Sequence, residues 1–294
     1  MIAWIIVYYS NRYFLDNFLN AFDKHIDNCE LYIVDNSAKN EISKLRRRNV
    51  TVLVPDKNLG FGGGVNYAKR HIETSCLHVS HVVISNYDIT LNESTFIGLR
   101  HSLTKVSINR IISPLVLSSG RIWFAPSSIS KLKICPKIRN FGREYTGNFE
   151  SDFCSTDFVS GCFIITDINT WKILGEFDEK LFMYDEDVDL SLRAVTLGIE
   201  LLVDCTWYVD HVGQGSYVDS DTNIDQLSPD NSSFNFYVSH TIKNRRLLIR
   251  KHFQNSNFLR LMHSLYWILK STQLILIGKI SAGFWVINEL RHDK

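Results

Sequence analysis

Apolar residues run almost unbroken over 3–9 and are rich in β-formers, the pattern of a strand buried on both faces. Ser10 or Asn11 can cap the helix that follows, where Phe14, Leu15, Phe18, Leu19 and Phe22 recur at helical spacing. Shorter apolar runs at 31–34, 50–54 and 81–85 predict three more strands. A charged segment at 41–48 predicts a short helix before the third strand. The glycine-rich turn Asn58-Leu59-Gly60-Phe61-Gly62-Gly63-Gly64 opens another that runs to about Glu73. Strand and helix alternate, which predicts an α/β fold with a mixed, mostly parallel sheet flanked by helices.

Farther along, 121–125 and 127–157 predict hairpin and loop, 158–166 a strand and 167–174 a helix. Phe182-Met183-Tyr184-Asp185-Glu186-Asp187-Val188-Asp189 leads into a helix that stops near Gly198, since glycine is favoured just past a helix end. A strand at 200–203 is followed by a loop carrying Trp207, His211, Gly213 and Ser216, and 219–233 is polar. From Phe234 the pattern turns helical, with a basic amphipathic stretch through Arg245, Arg246, Arg250 and Lys251 and then a strongly apolar one at 265–287. The expected organisation is a domain over 1–218, with halves at about 1–125 and 126–218, and a helical extension over 234–294.

Composition narrows the function. The chain has 294 residues with 32 Lys and Arg against 31 Asp and Glu, and a net charge of +1 gives no global attraction to nucleic acid. Its six cysteines include no C-x-x-C pair, which argues against a zinc ribbon or a thioredoxin-like site. The apolar N-terminal run lacks a basic flank and a small-residue cleavage site, so it is expected to be a strand, and the protein to work in a reducing, cytoplasmic compartment. The stretch 265–287 is long enough to span a bilayer, but Lys270, Ser271, Thr272, Gln273 and Lys279 interrupt it. Two readings stay open there. The helices pack on the domain or across a homodimer, or they lie on the inner face of the plasma membrane with their basic residues toward anionic lipid.

Three predicted strands end in polar residues: Tyr9-Ser10, Asp35-Asn36 and Asn86-Asp88. Ligands of open α/β sheets sit beyond the carboxyl ends of the strands, so these residues fall where a ligand would be. Asp35 can accept from a nucleobase or ribose, although Asp-Asn-Ser is also favoured turn chemistry. The glycine-rich turn can bring backbone N–H groups to an anion, but it matches neither a Walker loop nor G-x-G-x-x-G. Asn86-Tyr87-Asp88 offers hard oxygen ligands for Mg²⁺ or Mn²⁺, which proteins hold with one or two carboxylates plus substrate phosphates. Four acids in Asp185-Glu186-Asp187-Val188-Asp189, approached by apolar Leu181 to Tyr184, suggest an inward-facing general base. His211 can complete a metal site or touch a phosphate.

In this order, Ile6-Val7-Tyr8-Tyr9-Ser10-Asn11, Val34-Asp35-Asn36-Ser37, the glycine-rich turn through Asn66, Asn86-Tyr87-Asp88, Asp157-Phe158-Val159-Ser160-Gly161, Phe177-Asp178-Glu179 and 182–190 with Arg193 resemble GT-A glycosyltransferases of family 2. Within that family they are similar to the rhamnosyltransferase-like branch. The resemblance spans about residues 3–216, with a looser match at Lys243-Asn244-Arg245. It implies that Tyr8, Asn11, Asp35, Asn58, Gly60, Asn66 and Asn86 form the nucleotide site and that Asp88 and His211 hold Mg²⁺ or Mn²⁺. Asp187 would be the base, with Glu186 and Trp207 contacting the acceptor. The implied partners are a nucleoside diphosphate sugar, dTDP-rhamnose first and a UDP-sugar next, and a glycan or lipid-linked acceptor in surface polysaccharide assembly. Tyr87 stands where the family commonly has proline, and 127–155 has no counterpart. Rival readings are a sugar-nucleotide nucleotidyltransferase, which would need a glycine-rich loop with a lysine after the first strand, and a non-catalytic nucleotide-sugar-binding module.

Overall fold

The computed structural model describes residues 1–25, 28–37, 40–75, 78–130, 132–147, 149–212, 232–254, 256–276 and 279–292. The first strand, β1 (Ile2–Tyr8), is covered on both faces. Trp4 meets Phe18 and Phe22 of helix α1 (Arg12–His25) at ring-centroid distances of 5.6 and 5.9 Å. Ala3 and Ile5 point the other way, into the main core with Val34, Val65, Ala68, Ile84 and Ile164. Two-sided burial explains why the strand shows no polar alternation.

β1 pairs in parallel with β2 (Cys29–Asp35) and with β4 (His81–Ser85), and β2 with β3 (Val50–Leu53). Helix α2 (Gly60–Thr74) connects β3 to β4. After the short β5 (Ile89–Thr90), Asn92 caps α3 (Glu93–Leu103) in a reciprocal capping box with Thr95. Then come β6 (Arg110–Ser118), β7 (Arg121–Phe124), a separate two-stranded sheet of β8 (Ser127–Ser130) and β9 (Cys135–Ile138), and β10 (Phe153–Ser155). β11 (Phe163–Asp167) leads into α4 (Ile168–Leu174), whose N-cap is Asp167. Helix α5 (Glu186–Thr196) and the long β12 (Glu200–His211) follow. The sheet order is β10-β12-β6-β11-β4-β1-β2-β3, with β5 on β12 and β7 on β6. β11 runs antiparallel to both its neighbours, so the α/β sheet is mixed, as the pattern predicted.

Three local expectations fail. Residues 41–48 form turns instead of a helix, because Asp35 and Ser37 side chains take the Glu41 and Ile42 amides and Asn40 and Asn49 adopt positive φ. β11 begins at Phe163, not at 158. β12 continues to His211, so Trp207 and His211 lie on a strand where a loop was expected; the bulge between Asp204 and Tyr208 breaks the periodicity that would have revealed it. Gly213, Ser216 and most of 219–233 lie outside the described residues.

The chain divides into two compact units: Met1–Ser128, Lys137–Phe182 and Glu186–Gly213 form one, and Ile129–Pro136, Met183–Asp185 and Gln214–Lys294 the other. In the second, the apolar stretch splits into two helices. α6 (Ser232–His252), α7 (Asn257–Leu276) and α8 (Ile280–His292) bury Tyr237, Val238, Ile242, Trp267, Leu274, Ala282 and Val286. Within this unit Asn244 donates from its amide to the Met183 and Tyr184 carbonyls at 2.8 Å each.

Candidate active site

Four chain segments converge beyond the end of β4. The backbone N–H of Asn86 donates to the Cys162 carbonyl at 3.0 Å, and Val212 N–H donates to the Asp88 carbonyl at 2.9 Å. β5 pairs with the end of β12, setting Ile89 opposite His211. The His211 Nε2 consequently lies 3.1 Å from Asp88 Oδ1 and 3.1 Å from the Asn86 side-chain amide. From the start of α5, Asp187 Oδ2 accepts from Gly161 N–H at 3.1 Å and its Oδ1 from Val188 N–H at 2.9 Å. Gly161 and Cys162 are consecutive, so Asp187 and the Asn86–Asp88 turn are held to the same two residues before β11; burial, and after it the nearby Asp88 and Asp187 charges, pushes the Cys162 thiol well up. Thus Asn86, Asp88, His211 and Asp187 form one group. Glu186 is buried at the first turn of α5 beside them in sequence.

Trp123 is a residue that sequence reasoning missed. β6 and β7 lose register between Val116–Phe124 and Leu117–Ile122, so Trp123 is the extra residue of a β-bulge. Its ring lies 5.2 Å from the His211 ring. A bulge of this kind re-aims a side chain, and here it sets an indole beside the Asp88–His211 pair.

The residues expected around the nucleotide do different work. Asp35 is buried, and its carboxylate accepts from Ser37 N–H and Oγ–H and, at 3.0 Å, from Ile42 N–H. Tyr8 donates to Glu41 Oε2 at 2.7 Å, and its ring lies 5.3 Å from that of Tyr87. Both therefore hold Glu41 and Ile42 against the ends of β1 and β2. Tyr87 donates to the Ser10 carbonyl, fastening the turn after β1 to the turn after β4 in the place of the expected proline. Exposed Asn11 adopts φ 66° in that turn.

The glycine-rich turn is a packing device. Leu59 and Gly60 N–H donate to the Asn36 and Asn58 side chains, and Phe61 N–H to the Phe182 carbonyl, so the first two amides of α2 are spent on the protein. Asn66 is fully buried, accepts from Phe177 N–H at 2.8 Å and donates back to the Phe177 carbonyl. Gly60 and Asn66, expected to shape a nucleotide site, thus fix the turn against the 177–182 segment. Gly60 has φ +72°, and a Cβ there would lie 1.9 Å from the Phe182 carbonyl oxygen. Gly60→Ala should cost about 1–3 kcal/mol, the range for a strained backbone position, and urea unfolding would measure it.

Trp207 was expected to contact the acceptor. It is buried, donates from its indole to Ser102 Oγ at 2.9 Å, and would strike a Cβ at Gly98 at 2.2 Å. It belongs to the packing under α3.

A metal was expected at Asp88 and His211. Among the described residues no three His, Cys, Asp or Glu side chains gather to hold one. Two donors 3.1 Å apart still fit Mg²⁺ or Mn²⁺, which take much of their shell from phosphate and water.

No protein-family profile matches the chain, and no curated protein does. Among solved structures it is similar to GalNAc-T7, crystallised with UDP, GalNAc and Mn²⁺, with a TM-score of 0.58 and 13% identity over 83% of this chain. The match covers 47% of that protein, so the chain corresponds to about half its length. The likeness shows a GT-A fold.

Proposed function

We propose that this protein is a glycosyltransferase that moves a sugar from a nucleoside diphosphate sugar to a hydroxyl of a glycan or lipid-linked saccharide, with inversion. The observation that supports this best is the pairing of Asp88 with His211 at the carboxyl end of β4, tied through the Gly161–Cys162 backbone to Asp187. In the reaction the acceptor oxygen attacks the anomeric carbon, the bond from that carbon to the diphosphate oxygen breaks, and Asp187 takes the acceptor proton. The Gly161 N–H fixes the direction in which that carboxylate points, and its place in the first turn of α5 favours negative charge. Glu186 orients the acceptor. Asp88 and His211 would hold Mg²⁺ or Mn²⁺, which when bound neutralises the leaving diphosphate. Trp123, aimed by its bulge, offers a flat apolar wall to a sugar ring. The donor favoured by sequence resemblance is dTDP-rhamnose, with a UDP-sugar next, and the acceptor belongs to surface polysaccharide assembly at the cytoplasmic side.

Calorimetric titration with dTDP, UDP and GDP, with Mg²⁺ or Mn²⁺ and then with chelator, tests the reading. One nucleotide should bind in a metal-dependent way, and Asp88→Ala should weaken that binding at least about tenfold. Failure of all three to bind folded protein would sink the proposal. Binding indifferent to metal and to Asp88→Ala would remove Asp88 from the metal role.

A further inference from the structure

The second unit contains a helix that is apolar on two opposite sides. His263, Trp267, Ser271 and Leu274 of α7 are buried toward the unit's core. Phe258, Leu261, Leu265, Ile268, Leu269 and Leu276 recur at spacings of three and four residues on the other side, and all are exposed; Leu269 and Leu276 are 69% and 81% accessible. A solvated helix face carries polar residues, and a row of large apolar side chains of this length marks a surface made to be covered.

Charge decides what covers it. Residues 232–294 contain ten Lys and Arg and only two acids, Glu289 and Asp293, in a chain whose total excess is one positive charge. Lys243, Arg250, Lys251 and Arg260 are exposed. A second copy brought onto this row would set two such cationic helical segments against each other. An anionic phospholipid surface supplies both an apolar layer and the opposite charge. Among the described residues no helix is long and apolar enough to cross a membrane, so the geometry is that of a helix lying in the interface. We propose that the exposed row of α7 docks this protein onto anionic membranes. The proposal stands on the helix and its charge, independently of the reaction assigned above.

Co-sedimentation of the full chain with vesicles of phosphatidylcholine alone, and with about one-third phosphatidylglycerol, tests it. The protein should pellet with the anionic vesicles, lose binding as salt rises, and ignore the neutral ones. Leu265→Gln with Leu269→Gln should weaken vesicle binding about tenfold or more, since two side chains lose their burial. Both positions are exposed, so circular dichroism and donor-nucleotide binding should be unchanged. Absence of binding to anionic vesicles, or binding that the double variant leaves intact, overturns the proposal. So does a lipid-free dimer, seen by sedimentation velocity, that the double variant dissolves, because the row would then belong to a second copy.

Discussion

Asp187→Asn should lower kcat by about 10²–10⁴, the contribution of a positioned general base, while nucleotide binding measured by calorimetry stays close to wild type. The amide has the shape of the carboxylate and keeps an oxygen for the Gly161 N–H, which donates to Asp187 at 3.1 Å. What it loses is the second acceptor oxygen, which takes the Val188 N–H at 2.9 Å, and the ability to take the acceptor proton. That interaction strengthens only in the transition state, so kcat and kcat/KM should fall together and the acceptor KM should move little. The same assay on Asp88→Ala should show the opposite emphasis, with the loss in donor binding. Steady-state kinetics with the donor identified by titration separates the two. An Asp187→Asn protein that keeps most of its turnover would remove Asp187 from the base role.

The sheet was legible because its strands are buried on both faces and therefore appear as unbroken apolar runs; β4 falls on the stretch the pattern predicts. β6 was not identified, although eight of its nine residues are apolar or small and seven are buried. Ser113 and Pro114 interrupt the run in the sequence, while in the fold the Ser113 hydroxyl donates to the Phe163 carbonyl. Acids at element ends, Asp88 and Asp187, were legible as candidates, and the structure brings them into one group with His211. The bonds that candidate polar residues make within the chain were not legible. Asp35, Tyr8, Asn58 and Asn66 all have partners within the chain, and sequence spacing carries no record of that partnership. Trp123 was invisible for a different reason. A bulge changes which face a strand residue occupies, and its signal lies in the pairing with β6, not in the residue type.

The loose match at Lys243-Asn244-Arg245 acquires a physical role in the second unit, and Arg245→Leu should be the most destabilising change there. Arg245 Nε lies 3.7 Å from Asp185 Oδ2, and each side chain is 8% exposed. Burial raises the Asp185 pKa, and Arg245 pulls it back toward its ordinary range. A carboxyl whose folded pKa is raised contributes stability below its unfolded pKa of about 4 and loses it as pH rises through the folded value. Removing Arg245 raises that folded value further and leaves an uncompensated buried charge at neutral pH. The expected loss is about 3–5 kcal/mol at pH 7, shrinking as pH falls and Asp185 takes up a proton. His263, which burial and then Arg245 and Arg246 hold down to about 3, is neutral across this window in the wild-type fold. Asp185→Asn in the Arg245→Leu background should recover most of the loss, because the charge is gone and asparagine tolerates the φ of 60° at this position. Urea unfolding of the two variants and wild type at pH 7 and at a lower pH measures this. A deficit equal at both pH values and untouched by Asp185→Asn would mean that lost packing of the Arg245 stem, not the stranded charge, is responsible. Tyr184 and Asp185 both have positive φ, Asn244 holds the carbonyls of Met183 and Tyr184, and Asp187 follows two residues later. The ion pair and the amide clamp thus stabilise a strained turn joined directly to the helix that carries the base, so Arg245→Leu should lower kcat as well as stability.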